Sequence, residues 1–234
     1  MPDDFVEQVS GVSALAEPAR RALYLYVVAQ PAPVSRDQAA AGAGLPRHTA
    51  KFHLDKLVDE GLLDTEFRRL SGRRGPGAGR PSKLYRRSSR QVSVTLPERH
   101  YDLAGHILAC AVEQATGDGA SIQDALGRAA ADAGRQIGGE AQHGSSGKPS
   151  GRQKLQVVAD VLAAHGYEPR VDVDTMVLSN CPFDALAKEH TELVCGVNLD
   201  LITAAVEELG FPDVTARLDP SPERCCVVLR RQAG

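Results

Sequence analysis

The chain of 234 residues has no tryptophan, two methionines and only 4% aromatic residues. Its cores must therefore come from helices packed with Ala, Leu and Val. No apolar run approaches the roughly 20 residues that a membrane-spanning helix needs. The opening residues, MPDDFVEQVSGV, lack the charged-then-apolar layout of a secretory signal. These absences lead to the expectation of a cytoplasmic protein with no membrane partner, whose thiols stay reduced. Five cysteines in that setting point to metal, redox chemistry or plain core rather than a disulfide framework. A Gly-rich phosphate loop, a nucleophile elbow and a paired-histidine motif are also missing, so an enzyme is not expected.

Acidic residues are absent from one stretch. From Arg68 to Arg90 there are nine Lys or Arg and no Asp or Glu, although the whole chain carries a net charge of −3. Removing those nine leaves 18 basic residues against 30 acidic ones. A basic stripe on an acidic protein marks a local polyanion contact. The hydrophobic content of 42% and charged content of 24% are ordinary for a globular protein with one large or two smaller domains.

In chain order, Ser13–Gln30 has apolar residues at helical spacing and ends at Pro31 and Pro33. Val34–Ala41 reads as a short helix, with Ser35 and Gln38 in capping-box positions. A turn at Gly42–Leu45 leads into the helix Pro46–Glu60, which stops at Gly61. Its core stripe is Ala50, Leu54, Leu57 and Val58, which leaves Arg47, His48, Lys51 and Phe52 on or beside the outer face. Two helices across a tight turn make a helix-turn-helix. Leu62–Arg68 and Ser82–Arg87 then read as strands around the loop RLSGRRGPGAGRP, which together form a basic wing. Arg47, His48, Thr49, Lys51 and Phe52 on the second helix, with Arg73, Arg74, Arg80 and Lys83 of the wing, are the candidate DNA contacts. The wing arginines would lie along phosphates or reach into the minor groove.

The run Glu17–Arg87, with TAKFHLDKLVDEGLL and GRPSKLYR, resembles the ArsR-type winged-helix repressors over about the first 90 residues. The arsenic and cadmium sensors of that group carry paired cysteines in the recognition helix. This sequence has none there, so that mode of sensing does not carry over.

Pro97–Thr116 and Ile122–Ile137 are amphipathic helices suited to a dimer seam, and Cys110 falls on the apolar face as a core thiol. Gly138–Arg152 reads as a low-complexity linker and places a domain boundary there. Beyond it come a helix at Gln153–His165, strands at Glu168–Val173 and Thr175–Asn180, a helix at Glu192–Leu209, and strands at Val214–Leu218 and Cys226–Arg230. The expected fold is α+β: a winged helix-turn-helix over 1–95, a helical dimerisation segment over 96–138, a linker over 139–152 and a small α+β sensor domain over 153–234.

Four of the five cysteines lie in that last part. Cys181 follows a strand, and Cys195 is expected in the first turn of a helix capped by Thr191, where the helix dipole favours thiolate. Cys225 and Cys226 are expected to start the last strand, where alternation sends them to opposite faces and lets only one reach a shared site. The spacings match neither zinc ribbons nor bacterial ferredoxins, and leave open a metal site or buried core thiols.

CPFDALAKEHTELVCGVNLDLI and ARLDPSPERCCVVL resemble the sensor domain of the repressors of iron–sulfur-cluster assembly (Suf) operons, which joins a winged helix of this kind. The resemblance implies that Cys181, Cys195 and Cys225, with Cys226 as the alternative, ligate an iron–sulfur cluster of unspecified type. The fourth ligand would be His190, Glu192, Asp184, Cys226 or a small molecule. It also implies a homodimeric transcriptional regulator, acting as a repressor on a double-stranded DNA operator. The alternatives are a response to an organic effector, to zinc or to thiol oxidation, with the cysteines structural or redox-active.

Overall fold

Helix begins at Asp3 and the chain then builds two units, Met1–Val94 and Thr95–Gly234, each around its own core. The computed structural model describes residues 3–69, 81–142, 149, 151–221 and 223–232. In the first unit, α1 (Asp3–Ala14) and α2 (Pro18–Val28) replace the single helix expected from Ser13. The break has a local cause. The Glu17 carboxylate accepts a hydrogen bond from the Arg20 amide, and Pro18, which has no N–H to lose, occupies the first turn.

Val34–Ser35 form a short strand, β1, instead of opening the next helix. Ser35 then caps α3 (Arg36–Gly42) through a capping box with Gln38. Gly44 takes a positive φ of 65°, as the turn before α4 (Arg47–Asp59) requires, and Gly61 does so at 70° after it. The turn is tight enough that a Cβ on Gly42 would stand 1.9 Å from the Tyr26 ring. Ala50, Leu54 and Leu57 of α4 are fully buried against Leu23 and Val27 of α2. Each such leucine contributes about 1.5–3 kcal/mol by leaving water.

β2 (Leu63–Arg68) and β3 (Ser82–Arg87) pair antiparallel with Thr65 opposite Tyr85, and the sheet order is β1-β3-β2. This is a winged helix-turn-helix. The loop that carries Arg73, Arg74 and Arg80 lies outside the described residues.

The second unit opens with α5 (Tyr101–Asp118) and α6 (Ile122–Gln142), followed by α7 (Gly151–Ala163). The hairpin β4 (Pro169–Asp172) and β5 (Thr175–Leu178) leads to α8 (Asp184–Glu189) and α9 (Thr191–Glu208). β6 (Val214–Leu218) and β7 (Val227–Arg231) complete an antiparallel sheet of order β4-β5-β7-β6. Helix α8 was not expected. Phe183, 1% exposed, buries its start, and Lys188 closes an ion pair with Asp184 one turn back.

The boundary expected at 139–152 does not separate two cores. Ile107, Ala111, Ala125 and Ala130 of α5 and α6 share one buried cluster with Leu155, Leu201, Val227 and Leu229. The reason lies in two glycines of α6. A Cβ on Gly134 would fall 2.1 Å from the Leu201 carbonyl oxygen, and one on Gly138 would fall 2.7 Å from that of Ala205. Their missing side chains let α6 lie backbone against backbone on α9, which joins the helical pair to the sheet. Part of the stretch 139–152 (143–148 and 150) is outside the described residues.

Candidate functional site

Helix α4 buries one face and leaves the other to solvent. Arg47, His48, Lys51 and Phe52 are exposed, Phe52 at 66%, and Thr49 is half-buried beside them. His53 is buried instead, its Nδ1 3.6 Å from the Glu17 carboxylate that caps α2. The basic side chains on this surface are held by two acids that sequence reasoning did not single out. Asp37 takes a two-point contact from Arg47, with Nε donating at 2.6 Å. Asp55 takes Lys83 at 2.8 Å and Lys51 at 3.1 Å, and accepts a hydrogen bond from the Tyr85 hydroxyl at 3.3 Å.

The Arg47 hydrogen bond holds the Asp37 carboxyl below its ordinary range. At Asp55 burial pushes upward, but the Lys83 and Lys51 hydrogen bonds outweigh it and the net direction is down. Burial, then the Asp55 charge, pushes Tyr85 up to about 12, so its hydroxyl remains a donor. Lys51, Asp55, Phe67, Ser82 and Lys83 line an open cleft of about 660 Å³ between α4 and the wing. Lys51 to Asp55 is an i,i+4 pair and was legible from spacing. Asp37 with Arg47 was not, because it joins two helices.

The second cluster is in the other unit. Cys225 is buried and its sulfur is the hub. It accepts the Asn198 Nδ2 hydrogen at 3.2 Å, and Cys181, Cys226 and Cys195 stand near enough for the thiols to act on one another's charge. Hydrogen bonds from Cys181 and Cys226, with further donors at the Val227 amide and Asn198, hold the Cys225 thiol far below its usual range. Cys181 and Cys226 are pushed up, first by the Cys225 side chain and then by burial.

Two expectations about these cysteines are corrected. Cys225 and Cys226 lie in a bend before β7, outside the strand, so alternation does not divide them and both reach the cluster. Cys195 sits in the second turn of α9, because the helix starts at Thr191 and the Thr191 hydroxyl donates to the Ala187 carbonyl instead of capping. Cys110 is half-buried, 3.6 Å from His106 Nε2, and not a fully buried core thiol.

Of the other ligand candidates, His190 and Glu192 are exposed and Asp184 is paired with Lys188 and Arg99. Among the described residues no three His, Cys, Asp or Glu side chains surround a single ion-sized point.

Two sets of polar groups brace this cluster, and neither was expected. Asn198 is fully buried one turn after Cys195, and its Nδ2 donates to Cys225 Sγ at 3.2 Å. Its Oδ1 accepts the hydroxyl hydrogen of buried Tyr167. A polar residue on the apolar stripe of α9 was the available signal for Asn198.

On the other side, Arg99 donates to the Cys181 carbonyl at 3.0 Å and to Asn180 Oδ1, and lies 3.7 Å from Asp184. Asn180 Nδ2 returns to the carbonyls of Glu98, at 3.0 Å, and Gly166, at 2.6 Å. The His100 amide donates to the Pro182 carbonyl at 3.1 Å. Residues 98–100 are thereby clamped to the Cys181 loop, a few residues after the chain leaves the first unit.

Residues 15–66 match the helix-turn-helix domain family. That span covers α2 to the first four residues of β2, so the first unit carries a helix-turn-helix domain of the kind found in DNA-binding regulators. The comparison with curated proteins returns no match. Among solved structures, the chain is similar to human N-acetylserotonin methyltransferase in complex with SAM, at 18% identity and a TM-score of 0.24. The alignment covers 70% of this chain and spans 52% of that one. Among the described residues no helix is long and apolar enough to cross a membrane.

Proposed function

We propose that this protein is a homodimeric transcriptional repressor that reads operator DNA with α4 and the wing, and takes its signal at the four cysteines of the second unit. The observation that carries the sensing half is the gathering of Cys181, Cys195, Cys225 and Cys226, four of the chain's five cysteines, about the buried Cys225 sulfur, to which Asn198 Nδ2 donates.

The donor set suits an iron–sulfur cluster better than zinc. Zinc wants four donors about one tetrahedral point, and among the described residues no three His, Cys, Asp or Glu side chains form such a group. A polynuclear cluster spreads its thiolates over several irons and does not need a common centre. When bound, such a group supplies a redox- and oxidant-sensitive tie between the elements that carry the thiols. Cys225 offers a ready thiolate, Cys181 and Cys226 are half-exposed and give access, and Cys195 anchors the group to α9.

Arg99 and Asn180 connect the Cys181 loop to residues 98–100, so a shift of that loop displaces the segment leading back to the DNA-reading unit. On the DNA side, Arg47, Lys51 and Lys83 exchange Asp37 and Asp55 for phosphates or base edges, and affinity is salt-dependent. Tyr101, Leu108 and Val112 leave an apolar stripe of α5 exposed, which suits pairing of two copies on two half-sites.

The test is anaerobic purification and reconstitution, with iron, acid-labile sulfide and a visible spectrum measured beside operator binding of the loaded and stripped protein. Stoichiometric iron and sulfide with a change in operator affinity on stripping are expected. A colourless protein that takes up neither would overturn the cluster reading and leave only the DNA-binding one.

A further inference from the structure

Asn198 is fully buried, and a primary carboxamide in an apolar core costs free energy unless both of its ends are matched. Here both are matched, and the two partners fix which end points where. Tyr167 donates its hydroxyl hydrogen to Oδ1, and Nδ2 donates to Cys225 Sγ at 3.2 Å. If the amide were turned over, Oδ1 would face the sulfur. A sulfur that carries no proton, as thiolate or as metal ligand, would then meet an oxygen lone pair, an arrangement both partners resist.

Position adds to this. Asn198 follows Cys195 by three residues on α9, so one helix presents a thiol and an N–H donor to the same cluster. Tyr167 comes from the loop after α7, immediately beyond Gly166 with its φ of 78°. Its amide donates to the Leu162 carbonyl at 3.2 Å, which fixes the ring at the end of that helix. Burial, then the cysteine charges, pushes its hydroxyl well above the ordinary tyrosine range, so it stays a donor.

We propose that Asn198, oriented by Tyr167, is a positioning residue that donates a permanent N–H···S hydrogen bond to Cys225 and thereby sets the reduction potential of the sulfur site. This rests on the iron–sulfur reading above. A donor aimed at a ligand sulfur favours the more negatively charged, reduced state of a cluster and raises its potential. Asn198 and Tyr167 ligate nothing themselves, and their part is to place one hydrogen atom.

The experiment is a redox titration of the reconstituted full-length protein, followed by its visible spectrum, for wild type, Asn198→Leu and Tyr167→Phe. Iron, sulfide and far-UV circular dichroism are measured on each. Asn198→Leu keeps the branching at Cγ and removes the donor. Its midpoint is expected to fall by the equivalent of tenfold in the reduction equilibrium, about 59 mV for a one-electron couple. Tyr167→Phe frees the amide to turn and is expected to move the midpoint the same way by less.

A merely structural Asn198 would lower the melting temperature and leave the midpoint where it is, and equal midpoints at equal iron and sulfide would overturn the proposal. Should Asn198→Leu fail to fold, Tyr167→Phe decides alone by the same criterion. A wild type without iron and sulfide would remove the cluster reading itself and this inference with it, an outcome distinct from unchanged midpoints.

Discussion

In the first unit the groups offered to a partner stand on the outside of one helix within a few residues of each other: Arg47, His48, Lys51 and Phe52. In the second they are gathered from three places between Cys181 and Cys226, and the central sulfur is buried. The exposed set can be neutralised by nearby acids, as Asp37 and Asp55 do, and released to phosphate at little cost because water solvates both states. The buried set has no such freedom. Its polarity must be matched inside the protein, and Asn198, oriented by Tyr167, provides a donor to the Cys225 sulfur. A surface site is built for exchange, and a buried one for holding a state.

The contrast can be broken most severely at its centre. Cys225→Ser removes the sulfur on which the others converge. The expected result is complete loss of retained iron after anaerobic reconstitution, with salt-dependent DNA binding preserved. Undiminished iron content would show that Cys225 is not the anchor.

Next comes Arg99→Ala, which cuts the clamp between residues 98–100 and the Cys181 loop. For a coupled regulator the loaded and stripped forms differ in affinity by roughly 5–150-fold. The variant should bring that ratio close to one while the iron content and visible spectrum stay as in wild type. An unchanged ratio would mean that the signal leaves the second unit by another route.

Gly134→Ala tests whether the helical pair belongs to the sulfur-bearing core. The added methyl would meet the Leu201 carbonyl and must force α6 away from α9. A destabilisation of about 1–3 kcal/mol is expected by denaturant unfolding, as for other overpacked cores. Tolerance of alanine there would imply that the two helices are less closely joined than their backbones suggest.

On the exposed side the effects are smaller. Lys51→Ala should lower affinity by similar factors on operator and random DNA. It should also reduce the slope of log affinity against log salt by about 0.9, one phosphate contact. Loss of discrimination at a single base pair, with the slope intact, would assign Lys51 to a base edge instead.

The mildest test is acid. The carboxyls of Asp37 and Asp55 titrate below their ordinary values in the folded state, so between the folded and the unfolded values they bind fewer protons folded than unfolded. Their contribution to stability is present above about pH 4, the unfolded value, and is lost as pH falls through the lower folded values. Calorimetry should find the melting temperature of the first unit dropping below about pH 4. Replacing both residues by Asn should flatten that part of the profile.

Much of the first unit was legible because its signals are local. The Ser35–Gln38 capping box, the glycine stops at Gly44 and Gly61, and the stripe Ala50, Leu54, Leu57 each act within a few residues, and the fold follows them. The split between α1 and α2 was missed although Glu17-Pro18 is a local signal, because the apolar spacing runs on across it. In the second unit the element types were readable and their grouping was not. Gly134 and Gly138 look like weak points in a helix until Leu201 and Ala205 arrive against them.

The sequence by itself determined the helix-turn-helix, the wing strands, the basic stripe and the enrichment of cysteine toward the C-terminus. Only the tertiary structure decided that Cys226 joins Cys225, that Asn198 faces a sulfur, and that Arg99 ties the Cys181 loop to the segment after the first unit. The physical reason is range. Capping, periodicity and turn preference are set by neighbours along the chain, whereas a buried charge and its hydrogen-bond donors meet only after the elements have packed.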